Sequence, residues 1–288
     1  DFLRVNSILL KHVFSLIFSN DSNMTSNSIL AIGNAYQAHE DFGEFYEDGH
    51  ATMFATTILH MSNEIIKPRQ AAFKLMCLML TRNNDIFEAQ APLDLMMPLT
   101  SPSPTGYQIQ AKQFSEFAST SIKPESALIA FRMIADEMGS MKQKHKPLLD
   151  SLLEVSPVLA KAKPLKDVAV TLIRITAQSD IDNAGISESI KLLWLKFSEA
   201  VKSTNDSSNI NELLQTIFEY GSTQEDMKSK GSQSSVIVLC YIFLVLPEET
   251  TNLLMPILMN KYKVTLPELE SLEKFFGKAA LTFTPTKQ

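Results

Sequence analysis

The sequence predicts an all-α protein, an α-solenoid in which helical hairpins stack in a line, and three observations lead there. First, apolar residues recur at helical spacing. Ile186, Ile190, Leu193, Phe197 and Val201, then Ile210, Leu213, Leu214, Ile217 and Phe218, each mark one helix face, whereas a strand would alternate them. Second, only 9 glycines occur in 288 residues and few lie between alternating apolar runs, so an all-β fold has no turn chemistry to rest on. Third, the first helix of each successive pair starts near residues 2, 50, 107, 143, 186 and 235. That spacing is close to the roughly 40–47 residues of HEAT and armadillo repeats, whose helical units bury their apolar faces by stacking on their neighbours.

In chain order, residues 2–18 form the first helix, with Leu3, Leu10, Val13, Phe14 and Ile17 inward. A polar break at 19–27 separates it from a helix over 28–39. A carboxylate-rich loop, 40–48, leads to the next pair, 50–61 and 68–82, where Pro68 occupies a first turn that has no N–H to lose. Residues 83–105, with Pro98, Pro102 and Pro104, are the place for an irregular insertion or a change in stacking angle. Tyr107, Ala111, Phe114 and Ala118 mark a further helix, whose partner begins at Pro124 and buries Leu128, Phe131, Ile134 and Met138. Residues 148–155 and 168–176 follow as a pair.

The hinge 203–208 folds helix 186–201 back on helix 210–218, and Asn209 with Glu212 three residues later has the spacing of a capping box. Val236–Leu246 is apolar all round and belongs between other helices. At 11 residues it is far short of the about 20 that a membrane span needs. Pro256 kinks the helix after it, one more begins at Thr265, and the end of the chain frays. The whole of 1–288 reads as one continuous solenoid segment. Opening inside a helix without an initiator Met, it reads as part of a longer protein.

A net charge of −6 argues against nucleic acid as the main partner. Cys77 and Cys240 lie in apolar runs, where burial keeps thiols protonated and unreactive. No phosphate-binding glycine loop, nucleophile elbow, H-E-x-x-H or C-x-x-C occurs. His60 and Glu64 are spaced to share a helix face as two metal ligands, but a third is missing and an ordinary surface pair is the simpler reading. The segment His39–His50 gathers five carboxylates and two imidazoles without the ligand spacing of a calcium loop. Trp194 is expected in the core, with a binding hot spot as the alternative. These features predict no enzyme, no cofactor and no metal. The one charge feature that could serve a partner is basic. Lys142, Lys144, Lys146, Lys161, Lys163 and Lys166 fall within 25 residues that hold only Asp150 and Glu154 as acids. Such a cluster would steer an acidic protein, a solvated rim being the plainer reading.

Three blocks carry a family resemblance. Ile190-Lys-Leu-Leu-Trp194 precedes Asn209-Ile210 and Leu213-Leu214-Gln-Thr-Ile217-Phe218. The run from Val238 to Leu254 joins an apolar helix to the next helix through Pro247. Gln113–Ala118 precedes Pro124–Leu128. In pattern and order these resemble the central region of the Furry family of cell morphogenesis proteins, very long helical-repeat scaffolds, over about residues 105–262. The family's Pro-Trp at the end of the third block is absent, Glu154-Val-Ser-Pro157 standing there instead. The resemblance implies a non-enzymatic scaffold that works with NDR-type kinases and Mob co-activators in cell polarity and shape, in the cytoplasm and at the cell cortex or cytoskeleton. It supplies no catalytic residues. The competing expectations are an unrelated α-solenoid adaptor in trafficking or transport, and a helical enzyme with an unrecognised site.

Overall fold

The computed structural model describes residues 2–38, 48–82, 86–97, 103–138, 145–180 and 183–204, together with 209, 212, 213, 216, 217 and 220. Among the described residues the fold is all-α. Its helices are α1 (Phe2–Leu16), α2 (Ser22–Ala38), α3 (Gly49–Met61), α4 (Ile66–Thr81), α5 (Pro104–Ser121), α6 (Pro124–Glu137), α7 (His145–Val155), α8 (Leu165–Gln178) and α9 (Ala184–Ser203). Short 3-10 turns lie at Leu93–Met96 and Ser156–Lys161, and among the described residues no strand occurs beyond one isolated bridge between Phe87 and Ile122. No described helix is long and apolar enough to cross a membrane. The second half of the hairpin after α9, the helix Val236–Leu246 and the remainder of the chain lie outside the described residues, apart from the positions from 209 to 220 given above.

Local chemistry sets the ends. The Asp21 carboxylate accepts from the backbone N–H groups of Asn23 (2.8 Å) and Met24 (3.2 Å), so α2 starts at Ser22, six residues before the position the polar break suggested. Two of its buried hydroxyls find carbonyls, Thr25 donating to that of Ser19 and Ser26 to that of Lys67, which helps a polar stretch be helix here. Ser103 caps α5 by accepting from Gly106 N–H, with Pro104 next to it, and Asn183 caps α9 through Gly185 and Ile186.

Alternate helices run side by side in the same direction. At the start of α2 and α4, Lys67 Nζ donates to Asn23 Oδ1 at 2.9 Å; near their ends, Arg82 donates to the Tyr36 carbonyl. Arg132 of α6 pairs with Asp167 of α8, and further along both helices, one turn on α6 and two on α8, Asp136 pairs with Arg174. Asp150 of α7 accepts from Ser189 of α9 (2.8 Å), and one turn on along α7 and two along α9, Glu154 accepts from Lys196 (3.0 Å). In each pair the contacts advance in the same chain direction on both helices, so each of these pairs is parallel. Alternate helices pack as α2 on α4, α5 on α7, α6 on α8 and α7 on α9, and the sequential pairs α3 on α4 and α1 on α2 pack as well.

Two departures break the rule, both near the insertion. The main neighbours of α6 are α3 and α8, and that of α5 is α7, so the pair expected over 107–138 is splayed. Part of 83–105 is also docked. Ile86 is buried, Lys123 N–H donates to its carbonyl at 2.8 Å, and Phe87 sits among Phe54, Phe114 and Phe117 with ring centroids 5.2–6.2 Å away. One connected core runs from Phe14 to Ile217. Its most enclosed helix is α3, in which every residue except His50 is buried.

Candidate functional site

The basic cluster read from the sequence is divided by the fold. Lys142 and Lys144 lie outside the described residues. Lys146, in the first turn of α7, is bound to Asp150 at 2.9 Å, and that carboxylate is shared with Ser189 of α9. Lys163 donates to Asn209 Oδ1 at 2.9 Å, and the backbone N–H of Lys166 donates to Glu212 Oε1 at 3.3 Å. Asn209 is already helical, and Glu212 caps the first turn of α8, a neighbouring helix; the expected capping pair thus reaches outward. The side chains of Lys161, Lys163 and Lys166 are exposed at the entry to α8. The structure therefore brings Lys161, Lys163 and Lys166 to one connection and sets Lys146 on the α7–α9 face, where an acid answers it.

The other sequence candidates resolve differently. His60 is buried at the end of α3, while Glu64 lies exposed beyond that end, so the two do not share a helix face. No group of three potential metal ligands exists among the described residues. The Asn63 amide lies 3.4 Å from His60 Nδ1, and Nε2 has no partner. Loss of hydration holds the imidazole down to about 4. Cys77 is half-buried; burial pushes its thiol up, and it lies 3.8 Å from the Met96 carbonyl. Of the acidic loop only Asp48, Gly49 and His50 are described, His50 meeting Tyr36 edge-on at 5.5 Å. Trp194 is wholly buried, donates from Nε1 to Thr176 Oγ1 at 2.9 Å and meets Phe197 edge-on at 5.9 Å, which makes it a core residue.

Sequence reasoning missed Arg69. It lies in the first turn of α4 and is only 4% exposed. Its guanidinium rests 5.3 Å from the centre of the Tyr107 ring, whose edge is met by Phe73 at 5.8 Å. Arg69 Nε has no acceptor, and no described carboxylate pairs with the side chain. A desolvated cation–π contact is worth about 2 kcal/mol, whereas a buried unpaired charge costs several. The signal was available in the sequence: α4 carries Lys67, Arg69 and Lys74 and no acid over Ile66–Thr81. Helical periodicity alone had no means of marking Arg69 as buried.

Among the described residues the architecture is that of an all-α protein with three parallel helix pairs, α2 with α4, α6 with α8 and α7 with α9. Comparison with models of protein families, with curated proteins and with solved structures yields no match.

Proposed function

We propose that this chain is a segment of an α-solenoid of the HEAT or armadillo kind and acts as a non-enzymatic protein-binding scaffold. The observation that carries the proposal is the parallel register of alternate helices, seen in α2 with α4, α6 with α8 and α7 with α9. Successive hairpins related by a small repeated displacement produce that register, and such a stack presents an extended surface for other proteins. The sequence blocks that resemble the Furry family make the scaffold of that type the favoured particular, with NDR-type kinases and Mob co-activators as partners in cell polarity and shape, at the cytoplasmic cortex.

Two measurements test the two levels separately. Small-angle scattering of the purified chain should give a radius of gyration well above the ~19 Å expected for a compact domain of this length; a value near that figure removes the solenoid. Affinity purification of the intact parent protein should recover an NDR-type kinase and a Mob protein. Recovery of vesicle-coat or transport components in their place would favour the trafficking adaptor.

A further inference from the structure

Among the described residues one stretch of extended chain is held by strand-like backbone pairing, and it lies at the junction between α5 and α6. α5 ends at Ser121 and α6 opens at Pro124, so Ile122 and Lys123 make up the whole connection, both with extended backbone. Helix ends leave carbonyls and N–H groups that the helix itself cannot satisfy. Here they are the Ser121 carbonyl and the Lys123 N–H, and the segment Ile86–Glu88 takes both. Lys123 N–H donates to the Ile86 carbonyl at 2.8 Å, and Glu88 N–H donates to the Ser121 carbonyl at 2.6 Å, with Phe87 opposite Ile122. The half-buried Phe87 ring rests between Phe54 of α3 and Phe114 and Phe117 of α5. Backbone pairing along an edge, with one side chain in a pocket, is how an extended peptide is bound from outside. Past Glu88 the hold is slight, for Ala89, Gln90, Pro92, Leu93 and Asp94 are exposed before Leu95 is buried again.

We propose that the α5–α6 junction is a docking site for an extended segment of a partner protein, aliphatic, aromatic and polar in that order, and that Ile86–Glu88 covers it as an autoinhibitory strap. The segment seated there states the chemistry of the occupant. Its backbone answers Ser121 and Lys123, and its ring answers three phenylalanines. The helices around the site keep their own backbone bonds when the strap leaves, whereas the strap borrows its bonds from the junction. It therefore opens without unfolding them. Release bares the phenylalanine faces and both backbone groups together, and only a segment that supplies a ring and an extended backbone restores both. The inference goes beyond the scaffold reading and rests on this junction alone.

The test uses the intact chain. Hydrogen exchange should release the Glu88 and Lys123 amides at least about tenfold faster than those of Phe114 and Ala118 in α5. Equal protection would make the strap part of the core and overturn the proposal. The binding probe is a labelled peptide of residues 84–92, Asn-Asp-Ile-Phe-Glu-Ala-Gln-Ala-Pro. It should bind the Phe87→Ala chain at least about tenfold more tightly than the parent, whose own strap competes at high effective concentration. The same peptide carrying Phe87→Ala should bind neither. Phe87→Leu, a milder change, is measured alongside and should also bind the peptide more tightly than the parent, each variant being checked to unfold cooperatively. Failure of the peptide to bind either folded variant, or equal binding to variant and parent, overturns the proposal. Sedimentation supplies the last arm: dimerisation of the parent that is lost in Phe87→Ala overturns it in favour of straps exchanged between two copies.

Discussion

Between α6 and α8, and again between α7 and α9, opposite charges meet in register across the helix pair, whereas around α3 and α4 polar groups are enclosed without partners. In the first region the ion-paired side chains keep 23–54% of their exposure, so each charge retains water as well as its partner. In the second, Thr56 Oγ1, His60 Nε2 and Arg69 Nε are shut away from solvent with nothing to bond. The difference follows from position. α6–α9 belong to rows with a solvent edge, whereas α3 is packed by α4, α5 and α6 and has no edge left. The regular region also encloses polar atoms without partners, Gln178 Oε1 and Ser198 Oγ, so what sets it apart is its row of partly hydrated ion pairs.

The largest test of this contrast lies in the regular region. Trp194→Ala removes a fully buried ring and should cost about 3–5 kcal/mol in denaturant unfolding. A loss under about 1 kcal/mol would mean that α8 and α9 are not packed as described. Next in size is pH in the irregular region. His60 titrates near 6.5 when unfolded and at about 4 when folded, so between these values the unfolded chain binds the extra proton. Its contribution is present above pH 6.5, falls as the pH falls, and levels off below about 4. Going from pH 7 to 4.5 should cost the parent about 2.5 kcal/mol more than His60→Gln, read from paired unfolding curves. Identical pH dependence in the two would break the account of α3.

Smaller still is Thr176→Val, which leaves the Trp194 N–H without its acceptor and should cost about 1–3 kcal/mol. Double-mutant cycles on Arg132–Asp167 and Arg174–Asp136 come last, at about 0.2–1 kcal/mol each and shrinking with salt, because all four side chains stay partly hydrated. A coupling energy indifferent to salt would show the α6–α8 pairs to be buried, and the contrast between the two regions would lose its basis.

Some of the molecule could be read from residues alone. Ile186, Ile190, Leu193, Phe197 and Val201 were marked as one inward face, and all are buried. The inward set Leu128, Phe131, Ile134 and Met138 was legible for the same reason, since a helix face is a local property of spacing. The start of α2 was not, because Ser22, Asn23, Thr25 and Ser26 look like a loop until the Lys67 carbonyl and Asp21 answer them. The helix at 50–61 was expected, but that it is the most enclosed of the described helices was not. α3 carries Thr52, Thr56, Thr57 and His60, and these dilute the apolar signal that Val236–Leu246 shows in full. Lys146–Asp150 is a local i, i+4 pair within α7, but the bonds of Lys163 to Asn209 and of the Lys166 backbone to Glu212 depended on a segment brought in from elsewhere.

The sequence by itself determined that this chain is helical, where most of its helices lie and which faces turn inward, because those outcomes depend on residues three and four apart. Tertiary structure alone decided which helices became neighbours, that alternate ones run parallel, and which charges were left without an answer. Such contacts join residues 35–46 positions apart, as in Arg132–Asp167 or Arg82–Tyr36. No local pattern encodes them, since whether a buried cation meets a carboxylate or a ring depends on the packing of helices from different hairpins.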